Sequence, residues 1–381
     1  MPWKGQSIVD QREEFVRLAE RLGNVRLACR RARVSPTTAY KWLGRYAYGG
    51  REALKDLSRR PILSPRRSGE EIEKAVVGLR LEHPAWGARK IRFRLLAMGR
   101  EGVPTTSTVH AILQRRGLID PTKSSQHRAW QRFEHEAPNR LWQMDFKGHF
   151  AVEKDRCHPL TVLDDHSRFA LGLQACADET GKTVQDRLSA IFRRYGLPDR
   201  MSVDNGPPWG AHSEFTALSI WLIRLGVTVS HSRPYHPQTQ GKDERFHRTL
   251  QREVLSRYSF HDLTQVQERF DRWRDIYNLE RPHEALGMQP PVSRYRPSPR
   301  SFPESLPQIE YDSGDFVRKV QNPGEVWFRG KLFKVGRSFV GQHVALRPSA
   351  EEGLFDVFFA HQKIAQINLN PLPQPLPQRD Q

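Results

Sequence analysis

Three acidic residues stand where carboxylates can do chemistry. Asp145 is polar in the middle of an otherwise apolar strand face, LWQMDF. Asp204 ends a short apolar strand, RMSVD, and the Asn-Gly that follows breaks it. Both therefore sit where a buried sheet meets a cleft. Glu244 opens a helix whose apolar stripe is Phe246, Leu250 and Val254. At about 100° per residue, Glu244 lies about 200° around from Phe246 and shares a face with His247, Arg248 and Gln251. Three converging acids would hold two divalent ions roughly 3.5–4 Å apart, which activate a water or hydroxyl and stabilise the leaving oxygen of an in-line phosphodiester displacement. Hard oxygen donors suit Mg²⁺ or Mn²⁺. Spacing alone does not select this triple, because the chain has 43 acids and most single acids are solvated surface. Asp243 is the adjacent acid, about 100° around the helix. Asp164 and Asp165 read as turn formers in a hairpin and not as ligands.

Other chemistries find little footing. No Gly-x-Ser-x-Gly elbow and no P-loop occur, so neither serine catalysis nor ATP use is expected. Cys29, Cys157 and Cys176 are far apart, in neither a disulfide framework nor a zinc pattern, which fits a reducing cytosol. No run of about 18 apolar residues exists, so no membrane helix is expected, and the N-terminus lacks an apolar signal core.

The elements that must position the acids lie between 138 and 292. LWQMDFKGHFAV and CHPLTVLDDHSRFALGLQAC alternate like hairpin strands. GKTVQDRLSAIFRRYG reads as a helix, with Val184, Leu188, Ile191 and Tyr195 on one stripe and Gly196 as its stop. The strand RMSVD, a helix from Ser213-Glu214, the strand GVTVSHS, the loop RPYHPQTQG and two helices (KDERFHRTLQREVLSRY and LTQVQERFDRWRDIYNLE) follow. Three hairpin strands and then alternating helices and strands predict a mixed α/β domain with helices over a central sheet.

Around this core, 381 residues leave room for two or three domains. Residues 1–57 read as three short helices in helix-turn-helix rhythm, with Ser35-Pro36 opening the last. In that helix Ala39, Trp42 and Leu43 would pack inward, and Thr37, Thr38, Tyr40, Lys41 and Arg45 would face a groove. A basic linker (58–69) leads to a second helix-turn-helix (70–120), for which a winged form stays open. A connector (121–137) precedes the core. After it come a proline-rich linker (293–309), short strands that predict a small β-barrel (310–370) and a low-complexity tail expected to be disordered (371–381).

The net charge is +18, and it is unevenly placed. Residues 1–130 carry 27 Lys+Arg against 12 Asp+Glu, whereas the remainder is close to neutral. A basic front end on a near-neutral body is the footprint of a nucleic-acid grip attached to something else.

The strings PNRLWQMDFKG, VLDDHSRF, VDNGPPW, RPYHPQTQGKDERFHRTL and YNLERPHEALGMQPP occur in that order and together cover 138–292. They resemble the catalytic core of insertion-sequence transposases of the DDE, retroviral-integrase-like superfamily. The resemblance implies a multidomain protein: N-terminal all-α helix-turn-helix domains, a central α/β ribonuclease H-like core and a C-terminal small β-barrel. It makes Asp145, Asp204 and Glu244 the catalytic, metal-holding acids, with two Mg²⁺ or Mn²⁺ ions. Thirty-nine residues separate the last two acids, more than is usual in that superfamily. The implied reaction is cleavage that frees a 3′-OH, followed by strand transfer into target DNA. Arg233, Tyr235, Lys242 and Arg248 would meet DNA beside this site, and His236 reads as a DNA contact or an exposed side chain. The implied partners are double-stranded DNA and further copies of the chain, with no membrane and no ATP. The implied location is the bacterial cytoplasm, nucleoid-associated when DNA is bound. A non-enzymatic DNA-binding protein and a nuclease without strand transfer are the rival readings.

Overall fold

The computed structural model describes residues 7–57, 68–119, 134–153, 155–210, 214–231 and 241–370. Most of the expected basic linker, most of the connector, the loop bearing Arg233, Tyr235 and His236, and the C-terminal tail lie outside the described residues. The chain divides into two compact units, Met1–Arg67 and Ser68–Gln381.

The first unit has three helices, α1 (Ile8–Leu22), α2 (Val25–Ala32) and α3 (Pro36–Gly49). Each starts at a side-chain cap that accepts a backbone N–H: Ser7 from Asp10, Asn24 from Leu27 and Ser35 from Thr38. Such caps satisfy donors that the first helical turn leaves unpaired. Phe15, Ala19, Ala28, Cys29 and Ala39 form the core, and Trp42 meets Phe15 edge-on at 5.7 Å.

The second unit opens with α4 (Glu70–Glu82), α5 (Ala88–Ala97) and α6 (Thr106–Arg115), packed around Trp86, Ile91, Leu95, Val109 and Ile112. No strand accompanies α6 as far as residue 119, so no wing is present among the described residues.

Beyond it lies a mixed sheet. Its strands are β1 (Trp142–Phe146), β2 (Phe150–Val152), β3 (Asp155–Asp164), β4 (Ala170–Cys176), β5 (Arg200–Val203) and β6 (Thr228–His231). β3 pairs antiparallel with β1, β2 and β4, while β1, β5 and β6 run parallel in that order. The helices are α7 (Gly181–Tyr195), α8 (Ala217–Arg224), α9 (Gly241–Leu250) and α10 (Leu263–Asp275). One face of the sheet packs on α7 and α8 through Leu188, Phe192 and Leu222. The other packs on α9 and α10 through Phe246, Leu250 and Phe270. Each such buried side chain contributes roughly 1.5–3 kcal/mol.

Three local expectations shift. α8 begins at the Thr216 cap and not at Ser213-Glu214. The long helix expected to run to Tyr258 leaves α geometry after Leu250 and continues as a π-helical turn over Gln251–Leu255. The proline-rich stretch expected as a linker is packed onto the core. Tyr295 stacks on Phe169 at 4.3 Å, and Arg300 donates to the carbonyls of Pro198 and Gly226. Gly196 is obligatory here: its φ is +77°, and a Cβ would come within 2.6 Å of the Ser298 carbonyl oxygen.

The C-terminal part holds β7 (Phe316–Lys319), β8 (Glu325–Phe328), β9 (Lys331–Lys334), β10 (His343–Pro348), β11 (Leu354–Phe359) and β12 (Gln362–Asn368). They form a four-stranded sheet, β12-β11-β10-β7, and a separate β8-β9 hairpin. Where a small barrel was expected, no pairing among the described residues closes one. This part leans on the core's edge strand. The Gln362 side chain accepts from Val229 N–H (2.9 Å) and donates to Val229 C=O (3.0 Å), so it satisfies backbone groups that β6 would otherwise leave open.

Candidate active site

Two of the three predicted acids are brought level with each other by strand register. β1 and β5 are parallel neighbours, with Trp142 opposite Met201 and Gln143 opposite Ser202. Continued two residues, the same offset sets Asp145 opposite Asp204. Adjacent strands lie about 4.8 Å apart, so the two carboxyl groups share one sheet end. Both are half-buried. Burial, and next the Asp204 charge, push the Asp145 carboxyl up to about 7, with Glu179 adding to the rise. No lysine or arginine is among the groups that set this value. Two carboxyl groups at one sheet end offer hard oxygen donors, which fit a divalent ion.

The third predicted acid is placed differently. Glu244 is exposed on α9, as its angle from Phe246 predicts, and makes no hydrogen bond or ion pair among the described residues. Its neighbour Asp243 is fully buried, on the same face as Phe246 three residues on. Neither Asp243 carboxylate oxygen has a hydrogen-bond partner among the described residues. Burial, followed by the charges of Asp145 and Asp165, holds Asp243 well above the usual carboxylate range. Asp204 thus acts on Asp145, and Asp145 with Asp165 acts on the buried Asp243, whereas Glu244 is exposed. The burial of Asp243 had a sequence signal, its i,i+3 spacing from Phe246.

Several groups with no catalytic reading in the sequence hold this arrangement. Thr161 on β3 donates its hydroxyl to the Asp145 carbonyl (2.9 Å) and lies 2.9 Å from His247 Nε2 on α9. With its one proton given to the carbonyl, the hydroxyl accepts from His247 Nε2–H. Burial, and then Lys147, push the His247 imidazole down to about 4, so it is neutral. Lys147 Nζ donates to Gln251 Oε1 (2.7 Å), a second tie between the β1 side and the end of α9.

Asp164 and Asp165 do form a turn, but a buried and fully employed one. Asp164 accepts from Ser167 N–H and Oγ–H and from Asn139 N–H. Asp165 accepts from Gln143 Nε2 (2.8 Å) and from His135 N–H (2.9 Å). It also pairs with Lys242 at 2.5 Å. Lys242 was expected to meet DNA; in the structure its side chain is only 9% exposed and its charge is spent on this internal pair. Arg248 is exposed one turn beyond Glu244.

In the first unit Thr37, Tyr40 and Lys41 are exposed on α3. Thr38 is half-buried, with its hydroxyl 2.8 Å from that of Ser35. Arg45 is half-buried as well and reaches back to the Lys55 carbonyl (3.5 Å).

Among the described residues, no group of three or more His, Cys, Asp or Glu side chains is close enough to hold a metal ion, and no helix is long and apolar enough to cross a membrane.

Comparison with known proteins agrees with this layout. The family described as "Helix-turn-helix domain" matches residues 11–62, and "Homeodomain-like domain" matches 38–113. "Integrase core domain" matches twice, over 135–237 and 225–291, and "IS481 family transposase, C-terminal domain" matches 315–371. An uncharacterized 31.7 kDa protein of insertion element IS407 from Burkholderia multivorans is 31% identical over 157 residues, 41% of this chain and 54% of that protein. An uncharacterized 39.2 kDa protein of insertion element IS476 from Xanthomonas euvesicatoria is 32% identical over 159 residues, 41% and 44% of the respective chains. The chain thus spans about half the length of the curated relatives it matches. Among solved structures, a chain of the simian T-cell lymphotropic virus intasome in complex with the PP2A regulatory subunit B56 gamma aligns over 78% of this chain and 100% of its own, at 16% identity and a TM-score of 0.37. The run of these matches along one polypeptide, helix-turn-helix, then integrase core, then transposase C-terminal domain, supports an insertion-sequence transposase with an integrase-like core.

Proposed function

We propose that the chain is a DNA transposase. It binds the ends of its insertion sequence, cuts them to free a 3′-OH and joins that end to target DNA. The catalytic acids in this reading are Asp145, Asp204 and Glu244, on a ribonuclease H-like core. The observation that carries it is the register of β1 on β5, which sets Asp145 level with Asp204 at one sheet end, where the Asp204 charge raises the Asp145 carboxyl.

A bound pair of Mg²⁺ or Mn²⁺ ions would supply activation of the attacking hydroxyl and stabilisation of the leaving oxygen. The chain's own part is positional. Asp145 and Asp204 present oxygen donors from rigid strands, and the Thr161–His247 bridge holds α9 against β1. Arg248 lies outward to take a backbone phosphate. In the first unit Thr37, Tyr40, Lys41 and Arg45 would read the element's ends, with Thr38 packed against the cap of α3. Two ends handled together imply a dimer or larger assembly on DNA. The bacterial cytoplasm, nucleoid-associated when DNA is bound, is the location this function requires.

A second reading of the third acid is favoured by one observation: Asp243 is buried and its carboxyl is raised by the Asp145 charge, whereas Glu244 is exposed. Strand transfer with Mg²⁺, an element-end duplex and a target plasmid tests both. Wild type yields joined products, and Asp204→Ala loses them by about 10³-fold or more. Intact joining by Asp204→Ala overturns the site. Glu244→Gln inactive beside active Asp243→Asn supports Glu244; the reverse pattern moves the third acid to Asp243. Nicks without joined products would instead mark a nuclease.

A further inference from the structure

Where the loop between α4 and α5 meets α10 and the turn that follows α9, the second unit holds a cavity of about 300 Å³. That is the lower end of the range for small-molecule sites. Trp86 lines it from the loop. This residue is 1% exposed, stacked on His83 at 3.9 Å, and its indole N–H has no hydrogen-bond partner among the described residues. A donor sealed from water without an acceptor is a standing cost that a ligand acceptor would remove. The α10 side contributes Arg257, Tyr258, Arg269 and Arg272. The Arg269 guanidinium lies 3.5 Å from the Tyr258 ring centroid, and that of Arg257 lies 5.7 Å from the same centroid. Neither makes an ion pair among the described residues. Two cations that converge on one ring repel each other until an anion joins them. The acids lining the cavity do not fill that role. Glu253 is engaged twice, accepting from Trp273 Nε1 (2.9 Å) and from Arg281 Nε (3.1 Å). Glu82 is turned largely to solvent, 3.7 Å from His83 Nε2. Arg272 pairs with the exposed Glu268 at 3.9 Å. Next to the cavity Arg80 donates to the Trp86 carbonyl, and burial, then the Arg252 charge, lower its guanidinium. The surplus here is positive.

We propose that this cavity binds a single nucleotide, with its phosphate on Arg257 and Arg269, its base against Tyr258 and an acceptor on the Trp86 indole N–H. The planar fork of a guanidinium matches phosphate oxygens, and a tyrosine ring stacks on any base. A bare phosphate would satisfy the arginines and leave the ring and the indole donor unused. Binding alone is proposed, with no phosphate transferred. The site uses none of the acids of the candidate active site and does not rest on the transposase reading. The nucleotide can arrive free or as the unpaired end of a DNA strand, since the recognition chemistry is the same.

The test is calorimetric titration of the full chain, in EDTA, with dAMP, deoxyadenosine and inorganic phosphate. Deoxyadenosine monophosphate is expected to bind about tenfold or more tightly than either fragment, because it alone meets both the arginines and the aromatic side chains. An Arg257→Ala/Arg269→Ala variant should weaken it about tenfold or more, and Trp86→Phe, which keeps a ring and removes the N–H, about fivefold. The two arginines make no ion pair, so thermal melts of the double variant should match wild type. No binding of dAMP, phosphate binding as tightly as dAMP, or unchanged dAMP affinity in the double variant overturns the proposal. Competition separates the sources. Displacement of dAMP by a duplex with one unpaired 5′ nucleotide, and not by the blunt duplex, supports a pocket for a strand end. Binding undisturbed by both supports a site for free nucleotide. Equal displacement by both overturns the proposal, since the ligand then lies on a general DNA surface. Loss of strand transfer with dAMP binding intact would count against the transposase reading alone.

Discussion

Asp145 pays for its position in a way that can be measured without DNA. In the folded chain its carboxyl titrates near 7, whereas in the unfolded chain it titrates near 3.8. Below the lower value both states are protonated and nothing is lost. Between the two values the unfolded state releases its proton and the folded state does not, so stability falls as pH rises from about 4 to about 7. Asp145→Asn removes this penalty. In EDTA at neutral pH, urea denaturation of the variant should show a gain on the order of 2 kcal/mol, shrinking towards zero near pH 4. Asp243→Asn should behave in the same direction, since burial and the Asp145 and Asp165 charges raise that carboxyl too. A neutral or destabilising Asp145→Asn at pH 7.5 would mean that neither burial nor the Asp204 charge raises this carboxyl in the folded chain. Activity and stability would thus move oppositely at one residue, the pattern expected where a charged site is built at the fold's expense.

At the scale of elements, the helix that carries the third acid is fixed by side chains on other strands. His247 reaches Thr161, and Thr161 holds the Asp145 carbonyl. His247→Ala should lower strand transfer by about 10²-fold, since a displacement near 1 Å in a reacting group has that cost, while leaving duplex affinity intact. His247→Gln, which keeps a donor, should recover part of it. Equal loss in both variants together with weaker DNA binding would point to a general collapse of α9. Such ties explain what could and could not be foreseen. Ser35-Pro36 and Gly196 announce helix ends because capping is settled within four residues. The stripe Val184, Leu188, Ile191 and Tyr195 is legible because its period is local, and all four are buried. That Asp145 lies on a strand and Asp204 just past one is legible because each acid interrupts a short apolar run. The Lys242–Asp165 pair joins residues 77 apart in sequence, so nothing near Lys242 shows that its charge is already taken. The same holds for residues 293–309, where prolines argue against helix and strand but say nothing of Tyr295 stacking on Phe169.

At the scale of the whole molecule, the second unit contains its own joint. α5 meets the integrase-like core through Arg89–Glu284 (2.6 Å) and Arg94–Glu280. Between these pairs Lys90 is largely buried among Arg281, Glu253, Arg245 and Glu284. Burial first, and then Arg281, lower its ammonium to about 7. In the unfolded chain Lys90 titrates near 10.5. From that pH down to about 7 the unfolded state takes up a proton that the folded state refuses, so stability falls as pH falls. The flanking pair Arg89–Glu284 is exposed on both sides and returns at most about 1 kcal/mol. The joint is therefore held mainly by shape and weakened by its own charge. Lys90→Met keeps the stem's volume and removes the ammonium. It should raise stability at pH 7 on the order of 2 kcal/mol, with the gain fading as pH approaches 10. Hydrogen exchange at pH 7 should slow along α5 in the same variant, and less so in α7, which packs on the other side of the sheet. A Lys90→Met chain that is less stable than wild type at pH 7 would show that Glu253 and Glu284 hold this lysine charged, so that the ammonium serves the joint.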